Sequence, residues 1–116
     1  MVRTINKPWG FELWFAHTDK YAGKIVFFKK GHKSSLQYHK LKHETIYLDK
    51  GLMNLTLEDD SHSLRTRKFH EGESAIIPPG KKHRVEALKD SRIIEVSTPE
   101  LDDVIRVNDS YGRSTV

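Results

Sequence analysis

The sequence predicts an all-β fold, a sandwich or barrel formed by one domain of 116 residues. Several of its short runs alternate apolar and polar residues, which is typical of half-buried strands. Clusters of Gly, Pro, Asp and Ser separate these runs, as turns do. Many short strands with little helical periodicity favour a closed or two-layered β architecture.

The predicted strands follow one another with short connections. In chain order they span residues 11–17, 23–30, 35–40, 44–50, 52–58, 63–69, 74–78, 83–88 and 92–98. Residues 1–10 are predicted to form an N-terminal arm, with Trp9 and Trp14 in core or interface positions. Residues 99–116 are predicted to form a tail packed on the barrel, starting with a short helical turn.

Composition excludes several classes of protein. No apolar run approaches the ~20 residues that cross a membrane, and the N-terminus lacks the apolar stretch of a secretory signal. We therefore expect a cytoplasmic protein without a membrane partner. The absence of cysteine excludes disulfides, thiolate metal ligands and a cysteine nucleophile. A transition metal here must be bound by His, Glu, Asp or Gln.

The net charge of +4 raises the question of an anionic partner. Nucleic acid is not expected, because the Lys and Arg residues are scattered and form no long basic block. A small phosphorylated ligand would use the same positive field.

The segment between Gly31 and Gly51 concentrates candidate metal ligands. Gln37 and His39 are two residues apart, so on a strand they project from the same face, and Glu44 opens the returning strand. A second unit turns at Pro78, Pro79 and Gly80, and His83 opens the strand that follows. If the two units are neighbours, four side chains converge on one point: Gln37, His39, Glu44 and His83.

These spacings resemble the two motifs of the cupin superfamily. Gly31, Gln37, His39, Glu44 and Gly51 fit the first motif at every defined position. The second motif is matched by Gly72, Pro78, Gly80 and His83, while Ala87 stands where Asn is usual. The resemblance implies a double-stranded β-helix, also called a jelly-roll barrel, over residues 1–116. It also implies one divalent transition metal ion, with zinc expected first and Fe, Mn, Co or Ni as alternatives.

Further stretches resemble the cupin domain of type II mannose-6-phosphate isomerases, here as a stand-alone domain. They read KPWGFELW, SLQYHKLKHETIY and ELDDVIRVNDSYGR. Gln37 in place of a first His resembles the zinc set of phosphomannose isomerases. Lys42 replaces a common Arg of that family, and Thr45-Ile46 replaces its usual His-Trp. Arg106 lies in a tail that, in the family, closes over the barrel mouth and carries an arginine suspected to assist catalysis.

The resemblance implies aldose–ketose isomerisation of a sugar phosphate such as mannose 6-phosphate. A divalent metal would polarise the carbonyl oxygen, and a general base would move a proton. Arg106, Lys42 and His43 are the candidate catalytic side chains. His43, Glu86, Glu95 and a metal-bound hydroxide remain open as the base. The alternatives are a non-catalytic cupin that binds a sugar or another small polar ligand, and a metal-dependent cupin oxygenase.

A homodimer is expected as well. A small barrel has exposed strand edges, and the arm carries the apolar residues Trp9, Phe11 and Trp14.

Overall fold

The chain folds into eleven β-strands in a computed structural model that describes residues 2–113, and the predicted all-β class is confirmed. No helix that could cross a membrane occurs in this part of the chain. Residue 1 of the predicted arm and residues 114–116 of the predicted tail lie outside the described residues. The strands are β1 (Arg3–Lys7), β2 (Gly10–His17), β3 (Ala22–Phe28), β4 (Leu36–Tyr38), β5 (Glu44–Lys50), β6 (Leu52–Glu58), β7 (Leu64–His70), β8 (Ser74–Ile77), β9 (His83–Ala87), β10 (Ser91–Ser97) and β11 (Ile105–Asn108).

The strands form two antiparallel sheets packed face to face. One sheet has six strands in the order β1-β2-β3-β10-β5-β8, and the other has five in the order β11-β4-β9-β6-β7. Strands from the two halves of the chain are hydrogen-bonded neighbours in both sheets, as in the pairs β3–β10 and β4–β9. This interleaving is the arrangement of a jelly roll, and it brings distant segments to one interior.

Alternation along the strands sends one set of side chains between the sheets. In β5, Glu44, Ile46 and Leu48 are buried whereas Tyr47 is exposed. Each fully buried large aliphatic or aromatic side chain stabilises the fold by about 1.5–3 kcal/mol. The largest fully buried apolar side chains are Phe69, Leu48, Met53, Leu55 and Ile77.

The predicted arm and tail both contribute strands to the sheet edges. In the arm, β1 pairs with β2, and Trp9 stacks on Phe28 in the core with 3.9 Å between the ring centroids. In the tail, residues 101–102 form a turn without a helix, and β11 then pairs with β4 so that Arg106 lies opposite Gln37. Neither strand was predicted from the sequence, because both edge strands are largely exposed and lack a regular apolar alternation.

Gly51 shows why the first motif closes on glycine. Its φ is +105°, a backbone conformation that side chains with a Cβ rarely adopt. A Cβ at this position would also lie 2.2 Å from the Ser91 hydroxyl oxygen and 2.6 Å from the Asp90 carbonyl oxygen. The β5–β6 turn can therefore pack against the start of β10 only without a side chain.

Candidate metal centre

Three of the four predicted ligands meet inside the barrel. His39 lies between β4 and β5, Glu44 begins β5 and His83 begins β9, and one ligand atom of each lies within 4.8 Å of the others. His39 Nε2 is 3.4 Å from one carboxylate oxygen of Glu44, and His83 Nε2 is 3.9 Å from the other. All three side chains are buried. The cluster therefore has the donor types and spacing that a divalent transition metal needs.

Gln37 lies beside this cluster. It is directly opposite His83 in the β4–β9 pairing, and its side chain lines the same cavity. Its amide oxygen accepts a 2.6 Å hydrogen bond from the Ser35 hydroxyl. A carbonyl oxygen has two lone pairs, so this bond leaves one available for a metal.

The hydrogen bonds of the two histidines fix which ring nitrogen faces the cluster. His39 Nδ1 donates to the Asp103 carbonyl oxygen at 2.5 Å, and His83 Nδ1 donates to the Lys81 carbonyl oxygen at 2.9 Å. Because a carbonyl can only accept, both Nδ1 atoms carry the proton and both Nε2 atoms offer a lone pair. Neither Nε2 has a hydrogen-bond partner among residues 2–113, although both are buried. Buried unpaired acceptors aimed at one point fit a metal ligand set.

The turn after β8 positions both histidines. The Lys81 amide donates to the Pro78 carbonyl, and Gly80 within this turn has a φ of +84°. Proline followed by a glycine with positive φ is the pattern of a type II turn. The Gly80 amide also donates to the His39 carbonyl at 2.7 Å, so the second motif is tied directly to the first.

A ladder of alternating buried charges extends from the cluster across the six-stranded sheet. We call it the charge ladder; its members are Glu44, Lys42, Glu95, Lys24 and Glu12. The Lys42 ammonium is 2.8 Å from both the Glu44 and the Glu95 carboxylate. The Lys24 ammonium is 3.7 Å from Glu95 and 3.0 Å from Glu12. Three carboxylates and two ammonium groups leave one negative charge, which a divalent cation would reverse.

The pKa shifts in the ladder follow from burial and pairing. Burial alone would raise the pKa of Glu44, but the positive charge of the Lys42 ammonium, 2.8 Å away, outweighs burial and holds that pKa well below its usual range. Burial alone would lower the pKa of Lys42, but Glu95 and Glu44 outweigh it and raise that pKa. Burial lowers the pKa of His83 against the opposing charge of Glu44, which keeps the imidazole neutral and able to bind a metal.

Glu12 has a depressed pKa as well. Burial alone would raise the pKa of Glu12, but the Lys24 ammonium and the hydrogen bond from Trp14 outweigh it.

A cavity of about 100 Å³ borders the cluster and the ladder. Among its charged lining residues, those of the cluster and the charge ladder are buried, whereas Lys7, Arg106 and Arg113 are half-buried and mark its mouth. Burial lowers the pKa of Lys7, and the negative charge of Glu12 opposes this effect. The positive charges of Lys24, Arg106 and Arg113 lower the pKa of Lys7 further. Burial, followed by the charge of Arg113, also lowers the pKa of Arg106, against the opposing charge of Asp109. The mouth therefore carries three basic groups, of which Arg113 is already paired with the Asp109 carboxylate through hydrogen bonds of 3.0 and 2.9 Å.

The three predicted catalytic side chains have different positions. Lys42 and Arg106 line the cavity, Lys42 inside the charge ladder and Arg106 at the mouth. His43 is exposed and is not among the lining residues. Two glutamates were candidates for the general base. Glu95 lines the cavity, whereas Glu86 accepts a hydrogen bond from Asn54 and does not line it.

Sequence analysis did not single out Lys7 and Glu12 as site residues. Both line the cavity although neither belongs to a motif. The available signal was the strand alternation, which places Glu12 on the inward face of β2. Other basic residues near the ligand motifs do not line the cavity. Arg84 donates to the Ser34 and Asn108 carbonyls, and Lys33 and Lys82 are not among the lining residues.

The fold and the cluster together define a jelly-roll barrel with a possible metal site in its interior. The sequence profile of the family described as Cupin domain matches residues 24–97, and the chain belongs to that family.

Two solved structures share the fold of this chain, and one curated protein is similar to it in sequence. KdgF from Halomonas sp. has a TM-score of 0.75 at 22% identity, with 86% of this chain and 88% of that chain covered. Oxalate decarboxylase from Bacillus subtilis has a TM-score of 0.80 at 17% identity, with 91% of this chain and 30% of that chain covered. A mannose-1-phosphate guanylyltransferase of Sinorhizobium fredii is 30% identical over 111 residues, and the match covers 91% of this chain. This chain spans only 21% of that relative's length.

Proposed function

We propose that the protein is a metal-dependent sugar-phosphate isomerase that interconverts an aldose and a ketose, with mannose 6-phosphate as the model substrate. The observation that carries this proposal is the pair of buried, unpaired Nε2 atoms facing Glu44 beside a cavity with a cationic mouth. The relationship to a mannose-1-phosphate guanylyltransferase supports a mannose phosphate as the ligand.

His39, Glu44 and His83 would hold the metal, with Gln37 as a fourth ligand. When bound, the metal supplies Lewis acidity toward the carbonyl oxygen of the sugar. Lys42 keeps Glu44 ionised and oriented as a ligand from 2.8 Å away. Zinc is the first candidate for a His₂Glu set, and Fe, Mn, Co and Ni accept the same donors.

Glu95 is the proposed base. It removes the proton from the carbon next to the aldehyde, which gives an enediol, and the same proton returns to the former aldehyde carbon. The hydroxyl proton moves between the two oxygens, so atoms and electrons balance. Lys42 and Lys24, 2.8 and 3.7 Å from this carboxylate, fix the buried Glu95 side chain in place.

The phosphate would bind at the mouth. Lys7 and Arg106 would supply its positive charge, and the planar fork of an arginine makes two charge-assisted hydrogen bonds to phosphate. The Arg113 guanidinium is paired with Asp109, so it would contribute only if a phosphate displaced that carboxylate. The cavity of about 100 Å³ is small beside the 300–1,000 Å³ typical of larger ligands, which favours a small sugar with its phosphate outside.

We also propose that a second copy of the chain covers the outer face of the six-stranded sheet. This face carries an unusual number of apolar side chains for a solvated surface: Phe11, Leu13, Phe15, Ile25, Phe27, Tyr47, Ile76, Ile94 and Val96. By contrast, the five-stranded sheet carries polar side chains that are hydrogen-bonded in pairs. Asn54 bonds to both Glu86 and Lys68, and Thr56 bonds to Thr66.

The charges on the apolar face favour self-association. Arg92 and Asp49 are already paired with each other there, at 2.5 Å, so the face needs no charged partner. A face of this kind is self-complementary in a two-fold dimer.

The function is tested by assaying conversion of mannose 6-phosphate to fructose 6-phosphate after loading the purified protein with each of the five metals. Elemental analysis should find one metal ion per chain. The variant His39→Ala/His83→Ala should lose both metal and activity. The matched control is His70→Ala, which removes an exposed imidazole and should change neither.

Three results would contradict the proposal. Unchanged metal content in the double variant would remove the metal site. Metal-loaded protein that binds mannose 6-phosphate without turnover would favour the non-catalytic alternative, and dioxygen consumption would favour an oxygenase.

A further inference from the structure

One residue of the tail contacts both parts of the candidate site. We call residues 99–113 the strap. The backbone carbonyl of Asp103 accepts the 2.5 Å hydrogen bond from His39 Nδ1. The carboxylate of the same residue accepts hydrogen bonds from three successive amides, those of Lys40 at 3.1 Å, Leu41 at 2.7 Å and Lys42 at 3.0 Å.

The carbonyl contact distinguishes the two histidines of the cluster. His83 donates to the Lys81 carbonyl, two residues away in its own turn, so its orientation is fixed locally. The acceptor for His39 lies 64 residues farther along the chain. The tautomer and ring orientation of His39 therefore depend on how the strap is docked, whereas those of His83 do not.

The carboxylate contacts act on the charge ladder. Three amide donors to one carboxylate fix the loop 40–42. From this loop the Lys42 side chain, 3% exposed, reaches Glu44 and Glu95 at 2.8 Å each. A displaced loop would move the ammonium away from both carboxylates at once.

The strap is also part of the cavity wall. Leu101, Val104, Arg106 and Arg113 line the cavity, and β11 within the strap pairs with β4, the strand of Gln37. The strap is fixed at its far end as well, where the Tyr111 hydroxyl lies 2.7 Å from His32 Nδ1. Asp103 is thus the point at which the wall of the cavity meets the candidate ligands.

We propose that Asp103 is a positioning residue that couples docking of the strap to the candidate metal centre, by orienting His39 and by holding the loop that carries Lys42. This inference rests on the proposed metal site for its effect on affinity. Its structural part, the tie between the strap and loop 40–42, does not depend on metal.

The test compares Asp103→Asn with Asp102→Asn, a neighbouring variant that removes the same charge from an exposed side chain. The first measurement is amide hydrogen exchange of the metal-free protein. Exchange at residues 40–42 should accelerate at least about tenfold in Asp103→Asn and stay at the wild-type rate in Asp102→Asn. The second is zinc affinity by competition with a chelator. It should fall about 10–100-fold in Asp103→Asn only, because a loosened loop 40–42 weakens the docking of the strap carbonyl that orients His39, and outer partners of metal ligands act on affinity by about this factor.

A purely structural role for Asp103 would lower the melting temperature without changing the zinc affinity of the folded protein. Unchanged exchange at residues 40–42, or equal zinc affinity in the two variants, would overturn the proposal. If wild-type protein binds no zinc or other metal, the proposed function fails. The tie is then decided by hydrogen exchange at residues 40–42. The ¹⁵N signals of the His39 ring should also show a smaller population of the Nδ1–H tautomer in Asp103→Asn than in Asp102→Asn, because the carbonyl remains but is less firmly docked.

If Asp103→Asn does not fold, Asp103→Glu keeps a carboxylate and displaces it by one methylene. It should fold and show an intermediate loss of zinc affinity together with faster exchange at 40–42. Wild-type behaviour of Asp103→Glu in both measurements would equally overturn the proposal.

Discussion

Replacing Glu95 with glutamine tests whether the charge ladder acts as one unit. The Glu95 carboxylate lies 2.8 Å from the Lys42 ammonium and 3.7 Å from the Lys24 ammonium. At an effective dielectric constant of about 20, these contacts correspond to about 6 and 4.5 kcal/mol of Coulomb attraction. Desolvation of the buried ions offsets several kcal/mol of this. Because both lysines keep a second carboxylate, we expect a net loss of about 3 kcal/mol in the free energy of unfolding.

The assay is urea unfolding of the metal-free protein, monitored by circular dichroism. Arg92→Gln is the matched control on the same strand. The Arg92–Asp49 pair is 40% and 30% exposed, and exposed ion pairs contribute about 0–1 kcal/mol. Lys24→Met and the double variant Lys24→Met/Glu95→Gln complete a double-mutant cycle, in which a coupling of about 0.5–3 kcal/mol is expected.

A loss below about 1 kcal/mol for Glu95→Gln, or additive effects in the cycle, would refute this reasoning. The ladder would then be a set of independent contacts, and its alternating order would have no energetic consequence.

Three further predictions use other parts of the fold. Gly51→Ala should lower the free energy of unfolding in urea by about 2–4 kcal/mol, because φ is positive and the added Cβ would clash with residues 90 and 91. Gly31→Ala should lower it by only about 1 kcal/mol, because φ is also positive but the added Cβ would have no atom within 4 Å. Because the pKa of Glu12 is depressed in the folded state, the ionised carboxylate stabilises the fold fully above pH 4.5, its ordinary pKa, and progressively less as the pH falls below that value. Urea unfolding at a series of pH values should show this loss, and the free energy of unfolding should change less with pH in Glu12→Gln. Val96→Lys should convert the proposed dimer to a monomer in light scattering at micromolar concentration, whereas Thr66→Lys on the polar face should not, and a monomeric wild type would contradict the interface.

The local part of the site could be predicted from the sequence. A period of two puts Gln37 and His39 on one side of a strand, and the structure brings His39 and Glu44 together with His83 at one point. The glycines of the two motifs carried further information, because Gly51 and Gly80 have the positive φ that tight turns require. Spacing was informative here because His39 directly follows a strand, and Glu44 and His83 each open one.

The edge strands and the contacts of the tail could not be predicted in the same way. β11 is recognisable only when its partner β4 is known, since its pattern of exposure has no clear alternation. The bond between His39 and Asp103 joins residues 64 positions apart, and nothing in the spacing of either segment indicates it. Such contacts depend on sheet order, which local periodicity does not determine.

The charge ladder lies between these two cases, because part of its signal is present in the sequence. Alternation gives the parity of each charged residue: Glu95 shares the inward face of β10 with Ile93, and Lys24 shares that of β3 with Val26. A buried charge without a partner costs several kcal/mol, so inward-facing charges of opposite sign on different strands must meet one another. The sheet order places β3 next to β10 and brings Lys24 directly opposite Glu95 in the pairing register. Inward charges on otherwise apolar strand faces therefore predict both the position of the site and the neighbouring strands that supply its partners.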